Sequence, residues 1–167
     1  YRDLPGIVRL AKRWGVAVNF SAYSTLRMDD PNGMVKHNGS PDELREKIAE
    51  VIALKQAGFP VYTAERVLWK FYKFLVEGRI GGCTAGYRFL VINPDGRLTP
   101  CAMVMAYFDD HQTMQREFSS CNTCEACYIS TRAMAEKTLG ETLSDNVATL
   151  RRMLPVFGRP KSVVTQA

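Results

Sequence analysis

Five cysteines fall between residues 83 and 127, and three of them form a single run, Cys121-Asn-Thr-Cys124-Glu-Ala-Cys127. Seventeen residues separate Cys83 from Cys101, and nineteen separate Cys101 from Cys121. Thiols crowded in this way constrain a fold because they call for a partner; unrelated buried cysteines have no reason to gather in one short run. The partner is either another thiol, as a disulfide, or a metal or iron–sulfur cluster. The cysteine count is odd and no apolar signal-like stretch opens the sequence. A chain of 167 residues with 46% hydrophobic content also has enough apolar side chains to bury a core without covalent staples. Metal or cluster ligation in a reducing compartment, the cytoplasm, is therefore the expectation.

The remaining composition excludes more than it assigns. No run of about 18 apolar residues is present to span a membrane. The 22 basic and 17 acidic residues leave a charge of +5, but the Lys and Arg are scattered, as on an ordinary solvated surface. Phe71, Tyr72 and Phe74 imitate a stacking platform for nucleic acid. Two of the three continue a helical stripe, however, and no basic run lies beside them, so nucleic acid is not the expected partner. The opening Tyr1-Arg-Asp-Leu-Pro-Gly-Ile enters helix almost at once, which suggests the C-terminal part of a longer protein.

Periodicity divides the chain before residue 78. A helix over 5–14 carries Ile7, Val8, Leu10, Ala11 and Trp14 on an apolar face and stops at Gly15. Val16, Val18 and Phe20 alternate with Ala17, Asn19 and Ser21, the pattern of a strand, and Met28 to Gly39 reads as a loop containing His37. Ser40 reads as an N-cap with Pro41 at the first helical position and Glu43 closing a capping box. The helix that follows buries Leu44, Ile48, Val51, Ile52 and Lys55. A short strand, Phe59 to Tyr62, leads to Thr63, a second candidate cap, for a helix that buries Val67, Leu68, Phe71, Tyr72 and Leu75 and closes at Gly78. Trp14 and Trp69 are expected in the core. Helices alternating with strands predict an α/β class with a parallel layer.

Beyond Gly81-Gly82 the texture changes. Tyr87 to Ile92 is rich in β-formers, Asn93-Pro-Asp-Gly96 is a turn, and Arg97 to Met105 returns, which predicts a hairpin with Cys83 just before it and Cys101 on its second strand. The expectation for Tyr107 to Asn122 is irregular chain, with Asp109-Asp110-His111 a surface turn. Helices are predicted from near Ser130 and from about Ser144 to Leu154, before a loosely held tail.

Cys83-Thr-Ala-Gly-Tyr-Arg-Phe-Leu-Val-Ile-Asn-Pro-Asp-Gly-Arg-Leu-Thr-Pro-Cys101, followed by Cys124-Glu-Ala-Cys127, resembles the auxiliary-cluster region of radical S-adenosylmethionine (SAM) enzymes, of the SPASM or shorter twitch type. The resemblance is specific over 83–127. From about 7 to 76 the chain is similar, through much weaker motifs, to the last strands and helices of that superfamily's partial barrel. It implies the C-terminal part of a partial (β/α) barrel over 1–78, a small β-hairpin plus helices cluster-binding domain over 79–155, and a tail over 156–167.

The resemblance implies further that Cys83, Cys101, Cys124 and Cys127 hold one auxiliary [4Fe–4S] cluster. Cys121 is the alternate, since by spacing it could replace a member of the later pair. Five cysteines fill one such cluster, the twitch pattern, where the full SPASM pattern has seven. The family's CxxxCxxC motif, which holds the cluster that cleaves SAM to a radical, is absent from this sequence. SAM, a second [4Fe–4S] cluster, the N-terminal remainder of the barrel and an electron donor such as flavodoxin or ferredoxin belong, on this resemblance, to the parent protein.

Several alternatives stay open. Four cysteines also bind zinc tetrahedrally, although zinc ribbons usually offer two CxxC knuckles where this chain offers one. A cluster with four thiolates leaves no iron free for substrate, so it is either an electron relay or a structural staple. Asn19, Ser21 and Tyr23 share the polar face of a strand that in a partial barrel points toward the cavity for SAM or substrate, and solvent or interlayer contact is the plainer reading. Gly86 suits a tight backbone near the cluster. Tyr128 and Arg132 follow the CxxC closely enough to touch the cluster or a partner, or else to pack within a helix.

Overall fold

A computed structural model describes residues 1–26, 30, 32 and 39–157; His37, most of its loop and the tail beyond Phe157 lie outside the described residues. The chain forms two compact units, Tyr1–Glu136 and Lys137–Ala167, so the expected junction near Gly78 lies inside the first. Secondary structure is mixed and mostly helical. Among the described residues the only multi-residue strands form one two-stranded antiparallel sheet. No described helix is long and apolar enough to cross a membrane.

The helical part of the first unit follows its sequence periodicity. Helix α1, Leu4–Trp14, ends on Gly15, whose φ of 68° is the left-handed conformation glycine adopts most readily. Helix α2, Pro41–Gln56, buries Leu44, Ile48, Val51, Ile52 and Lys55, the expected stripe. Lys55 keeps its charged end satisfied by donating from Nζ to the Val61 carbonyl at 2.6 Å. Helix α3, Glu65–Glu77, buries Val67, Leu68 and Phe71 as expected, but the fourth buried position is Phe74, with Tyr72 and Leu75 only half-buried. α1 packs on α2 and α2 on α3, around a core that also takes in Ala22, Val61, Tyr128 and Ala133.

Both predicted caps differ in detail. Ser40 does cap α2, accepting the Glu43 N–H at 3.2 Å. The return arm of the box runs through Tyr1: the Ser40 N–H donates to the Tyr1 hydroxyl at 3.1 Å, and that hydroxyl donates to Glu43 Oε2 at 2.8 Å. Thr63 does not cap α3, whose N-cap is Ala64 without a side-chain bond. Its hydroxyl instead accepts the Phe20 N–H at 2.7 Å and donates to Asn19 Oδ1 at 2.9 Å, tying two extended segments together.

Those segments are not full strands. Val18 and Val61 form a single parallel bridge, in which the Val18 N–H donates to Pro60 and the Tyr62 N–H to Val18, each at 2.8 Å. The predicted alternation holds in part: Val18 and Phe20 are half-buried while Ala17, Asn19 and Ser21 are exposed, but Val16 is 50% exposed. Among the described residues a partial barrel is not shown. The tryptophans are the other correction: Trp14 is 70% exposed and Trp69 39%, because Val8, Ala11, Leu68 and Phe71 already fill the core-facing positions of their helices.

The hairpin is present but short. β1, Val91–Ile92, pairs with β2, Leu98–Thr99, across a turn in which Gly96 has φ 86°. Leu98 also exchanges two hydrogen bonds with Phe108, so the chain folds back a second time. Tyr107 to Asn122 is not irregular throughout. Asp110 caps a helix, α4, His111–Glu117, by accepting the Thr113 N–H at 2.8 Å, and a 3₁₀ turn, Ser119–Cys121, follows. An Asp-x-x-Thr cap within a polar stretch lacks the apolar periodicity that marks longer helices.

Helix α5, Ser130–Ala135, starts where expected. In the second unit, helix α6 runs from Leu139 to Phe157, five residues earlier than the sequence suggested. Thr138 and Glu141 form a reciprocal capping box that starts it: the Thr138 N–H donates to Glu141 Oε2 at 2.7 Å, and the Glu141 N–H donates to Thr138 Oγ1 at 3.2 Å.

Candidate metal centre

Cys83, Cys101, Cys124 and Cys127 line one pocket, whose space free of protein atoms, open mouth included, is about 320 Å³. Cys121 is not among the lining residues. Three local structures bring the four sulfurs together. Gly82, at φ 74°, turns the chain into Cys83. Cys101 lies two residues beyond the end of β2, in the turn after buried Pro100, and not on the strand itself. Cys124 and Cys127 form a knuckle between the 3₁₀ turn and α5.

At Cys101 the Met103 N–H donates to Sγ at 3.4 Å. At the other three the backbone amide two positions on favours the thiolate: Ala85 for Cys83, Ala126 for Cys124 and Ile129 for Cys127. An amide aimed at sulfur favours the charged thiolate, the form a metal binds. Cys121 has the opposite arrangement: its thiol is exposed and directed at the carbonyls of Glu117 and Phe118, at 3.5 and 3.4 Å. The choice the sequence left open between Cys121 and the later cysteines thus has a geometric counterpart.

In the ligand-free chain the thiols share their protons unevenly. The hydrogen bond between Cys83 and Cys124 lowers Cys124 to about 6, with help from the Ala126 amide against the effect of burial. The same hydrogen bond, together with burial, raises Cys83. Burial raises Cys127, opposed by the Ile129 amide and the charge of Arg132. Cys124 is thus the most readily ionised of the three, and Cys83 and Cys127 hold their protons longer.

Two neighbours that the cysteine spacing did not mark as essential hold this arrangement. Asn122 donates from Nδ2 to the Cys83 carbonyl at 3.1 Å and accepts the Cys124 N–H on Oδ1 at 3.0 Å, joining the Cys83 turn to the knuckle. The signal was legible, because Asn two residues before the amide it caps is an ordinary Asx-turn. Arg132 is fully buried in the pocket wall and donates to the carbonyls of Ile80, Gly81 and Cys127. Gly86, at φ 80°, is required by proximity, since a Cβ there would run into the Ser119 side chain. Its carbonyl lies 3.0 Å from His111 Nε2. Leu26, Phe89, Val104, Phe118 and Ile129 complete an otherwise apolar wall.

The knuckle is moored to the helical core. Tyr128 is buried edge-on against Phe71, with ring centroids 5.7 Å apart. Ser24 donates to the Ala126 carbonyl at 2.9 Å, and the Ile80 N–H donates to Glu125 at 2.9 Å. The polar residues singled out for cofactor binding are engaged within the chain. Ser21 Oγ accepts the Ser130 N–H at 3.1 Å at the start of α5, Asn19 holds Thr63, and the Tyr23 hydroxyl donates to the Asp30 carbonyl at 2.9 Å. None of the three lines the cysteine pocket.

Among the described residues no three His, Cys, Asp or Glu side chains are gathered closely enough to hold a single metal ion. Four thiolates around one zinc would lie about 3.8 Å apart, given Zn–S bonds of about 2.3 Å. Cys83, Cys101, Cys124 and Cys127 line one common space. No protein-family model, curated protein or solved structure matches the chain.

Proposed function

We propose that Cys83, Cys101, Cys124 and Cys127 hold one [4Fe–4S] cluster, and that the chain is the C-terminal part of a radical SAM enzyme in which this cluster is auxiliary. One observation carries the reading: four cysteines from three separate turns line one pocket whose wall is otherwise mostly apolar, and Cys101 Sγ accepts the Met103 N–H. The donor set fits the group, since the soft iron–sulfide core takes thiolates and hydrogen bonds to its sulfurs adjust its potential. A bound cluster supplies one-electron transfer or a covalent staple for the hairpin.

The chain's own contribution is positional. Asn122 and Arg132 bring the Cys83 turn to the knuckle, Gly86 allows close packing against Ser119, and the apolar wall limits water. The barrel part of the proposal draws on the extended segment at Val18, helix α2 and the parallel return at Val61, which follow one another as in a βαβ unit. The rest of the barrel, SAM, its own [4Fe–4S] cluster and a flavodoxin or ferredoxin donor are the partners this reading entails.

Anaerobic reconstitution of the full chain with iron and sulfide tests it. About four iron and four sulfide per chain are expected, lost on Ser substitution of any of the four ligands and kept in Cys121→Ser. A colourless protein holding one zinc sinks the cluster in favour of a structural zinc module, and iron lost in Cys121→Ser but kept in Cys124→Ser reassigns the ligands.

A further inference from the structure

Arg132 is an unusual residue to bury. Its exposure is 0%, and it lines the pocket that the four cysteines also line. Nη1 donates to the Ile80 and Cys127 carbonyls at 3.0 and 2.6 Å, Nη2 to the Gly81 carbonyl at 2.6 Å, and Nε to Glu136 Oε1 at 2.8 Å. Glu136 Oε1 also accepts the Thr84 N–H at 3.2 Å. One side chain therefore clamps the residues before Cys83 to the knuckle of Cys127, and its counter-ion holds the residue after Cys83.

Carbonyl clamping alone does not account for a full charge at this position. A buried ion pair is often no more stabilising than apolar residues of the same volume. The pair is also placed asymmetrically. Arg132 lines the pocket, and Glu136 is not among the lining residues described. In keeping with that placement, the charge of Arg132 favours the thiolate forms of both Cys83 and Cys127.

A cluster held by four thiolates is anionic and becomes more so with each electron it accepts. A fixed positive charge in a low-dielectric wall therefore favours the reduced state. We propose that Arg132 is a positioning residue whose buried charge raises the reduction potential of a cluster held by Cys83, Cys101, Cys124 and Cys127, with Glu136 as the opposing charge. This rests on the cluster reading above.

The test is redox titration of the reconstituted full chain, with iron and sulfide counted for every variant. Arg132→Met removes the positive charge and is expected to shift the midpoint to lower potential. Glu136→Gln removes the opposing charge and keeps a hydrogen-bond acceptor, so its midpoint is expected to rise. Arg132→Lys keeps the charge while losing the forked clamp, and should stay near wild type in potential while the metal-free protein melts earlier.

Opposite shifts in the Met and Gln variants are the signature, because a purely structural role moves both in the same direction or neither. Shifts of the same sign, or no shift at equal iron content, overturn the proposal. Where Arg132→Met takes up no iron, Glu136→Gln and Arg132→Lys decide: a raised midpoint in the first and an unchanged one in the second support the charge, and any other pair overturns it. A wild-type chain that takes up no iron overturns the cluster reading itself, whereas iron-loaded wild type with unshifted variants overturns the role of Arg132 alone.

Discussion

Residues 4–77 and residues 79–136 belong to one compact unit but are held by different forces. The helical part buries Val8, Leu44, Ile48, Val51, Val67, Leu68, Phe71 and Phe74 against one another, and its exposed ion pairs, such as Arg9 with Glu50, add little. The cysteine part has two strands of two residues each and few buried aliphatic side chains. Arg132, Asn122, Asp110 and a set of glycine turns hold it instead. Apolar packing holds whether or not a ligand is present. On the proposed reading, a bound cluster would add covalent links across a part that polar contacts otherwise hold. Ligand loading should therefore change the second part and leave the first nearly as it was.

Phe71 is where this contrast can be broken most severely, because it packs in the helical core and carries Tyr128 of the knuckle on its edge. Phe71→Ala is expected to cost about 3–5 kcal/mol. Chemical denaturation of the metal-free protein should show the midpoint falling accordingly, and iron uptake should fall with it. A variant that loses stability but loads iron normally would show that the knuckle does not depend on the helices.

A smaller change confined to the cysteine part sharpens the comparison. Gly86→Ala meets both a positive φ and the Ser119 side chain, so strain and overpacking together should cost on the order of 3 kcal/mol. Gly96→Ala has the same sign of φ but open space around it, and should cost about 1 kcal/mol. Hydrogen exchange should place the Gly86 defect in 79–121 and leave α2 protected. Equal losses in the two variants would remove the argument from close approach.

On the other side of the comparison, Ser40→Ala removes the α2 cap and should lower the melting temperature by the equivalent of about 1 kcal/mol with iron content unchanged. Iron loss in this variant would mean that the helical part and the cysteine site are not separable.

The same contrast explains what the sequence made legible. Leu44, Ile48, Val51, Ile52 and Lys55 declare a helix face because burial repeats with helical spacing, and α2 follows it residue for residue. Chemistry and spacing marked all five cysteines, and the resemblance singled out the four that line the pocket. The caps were less so: Thr63 offered the right residue type but its hydroxyl serves Phe20 and Asn19, and Thr138 was passed over although Glu141 stands three residues on. The buried role of Arg132 depends on Ile80 and Gly81, about fifty residues away in the chain, and no local pattern encodes such a partnership.

The smallest effect on stability comes from the thiols themselves, and its sign follows from the shared proton. An ordinary thiol ionises near 9, and Cys124 in the folded chain near 6. A depressed folded pKa contributes stability that is present above the unfolded value and lost as pH falls through the folded one. Between pH 6 and 9 the unfolded chain keeps a proton that folded Cys124 has released, so the reduced, metal-free protein should become more stable as pH rises through this window. Above 9 the trend reverses, because Cys83 and Cys127 are raised and hold their protons longer than the unfolded chain does. Water reaches half-buried Cys124 and weakens the effect, which makes reactivity the better readout. Alkylation by iodoacetamide, followed by peptide mapping, should show Cys124 reacting with a midpoint near pH 6, Cys127 protected, and Cys124 silenced once iron and sulfide are bound. A Cys124 midpoint near 9 would mean that Cys83 does not donate to it in the metal-free chain.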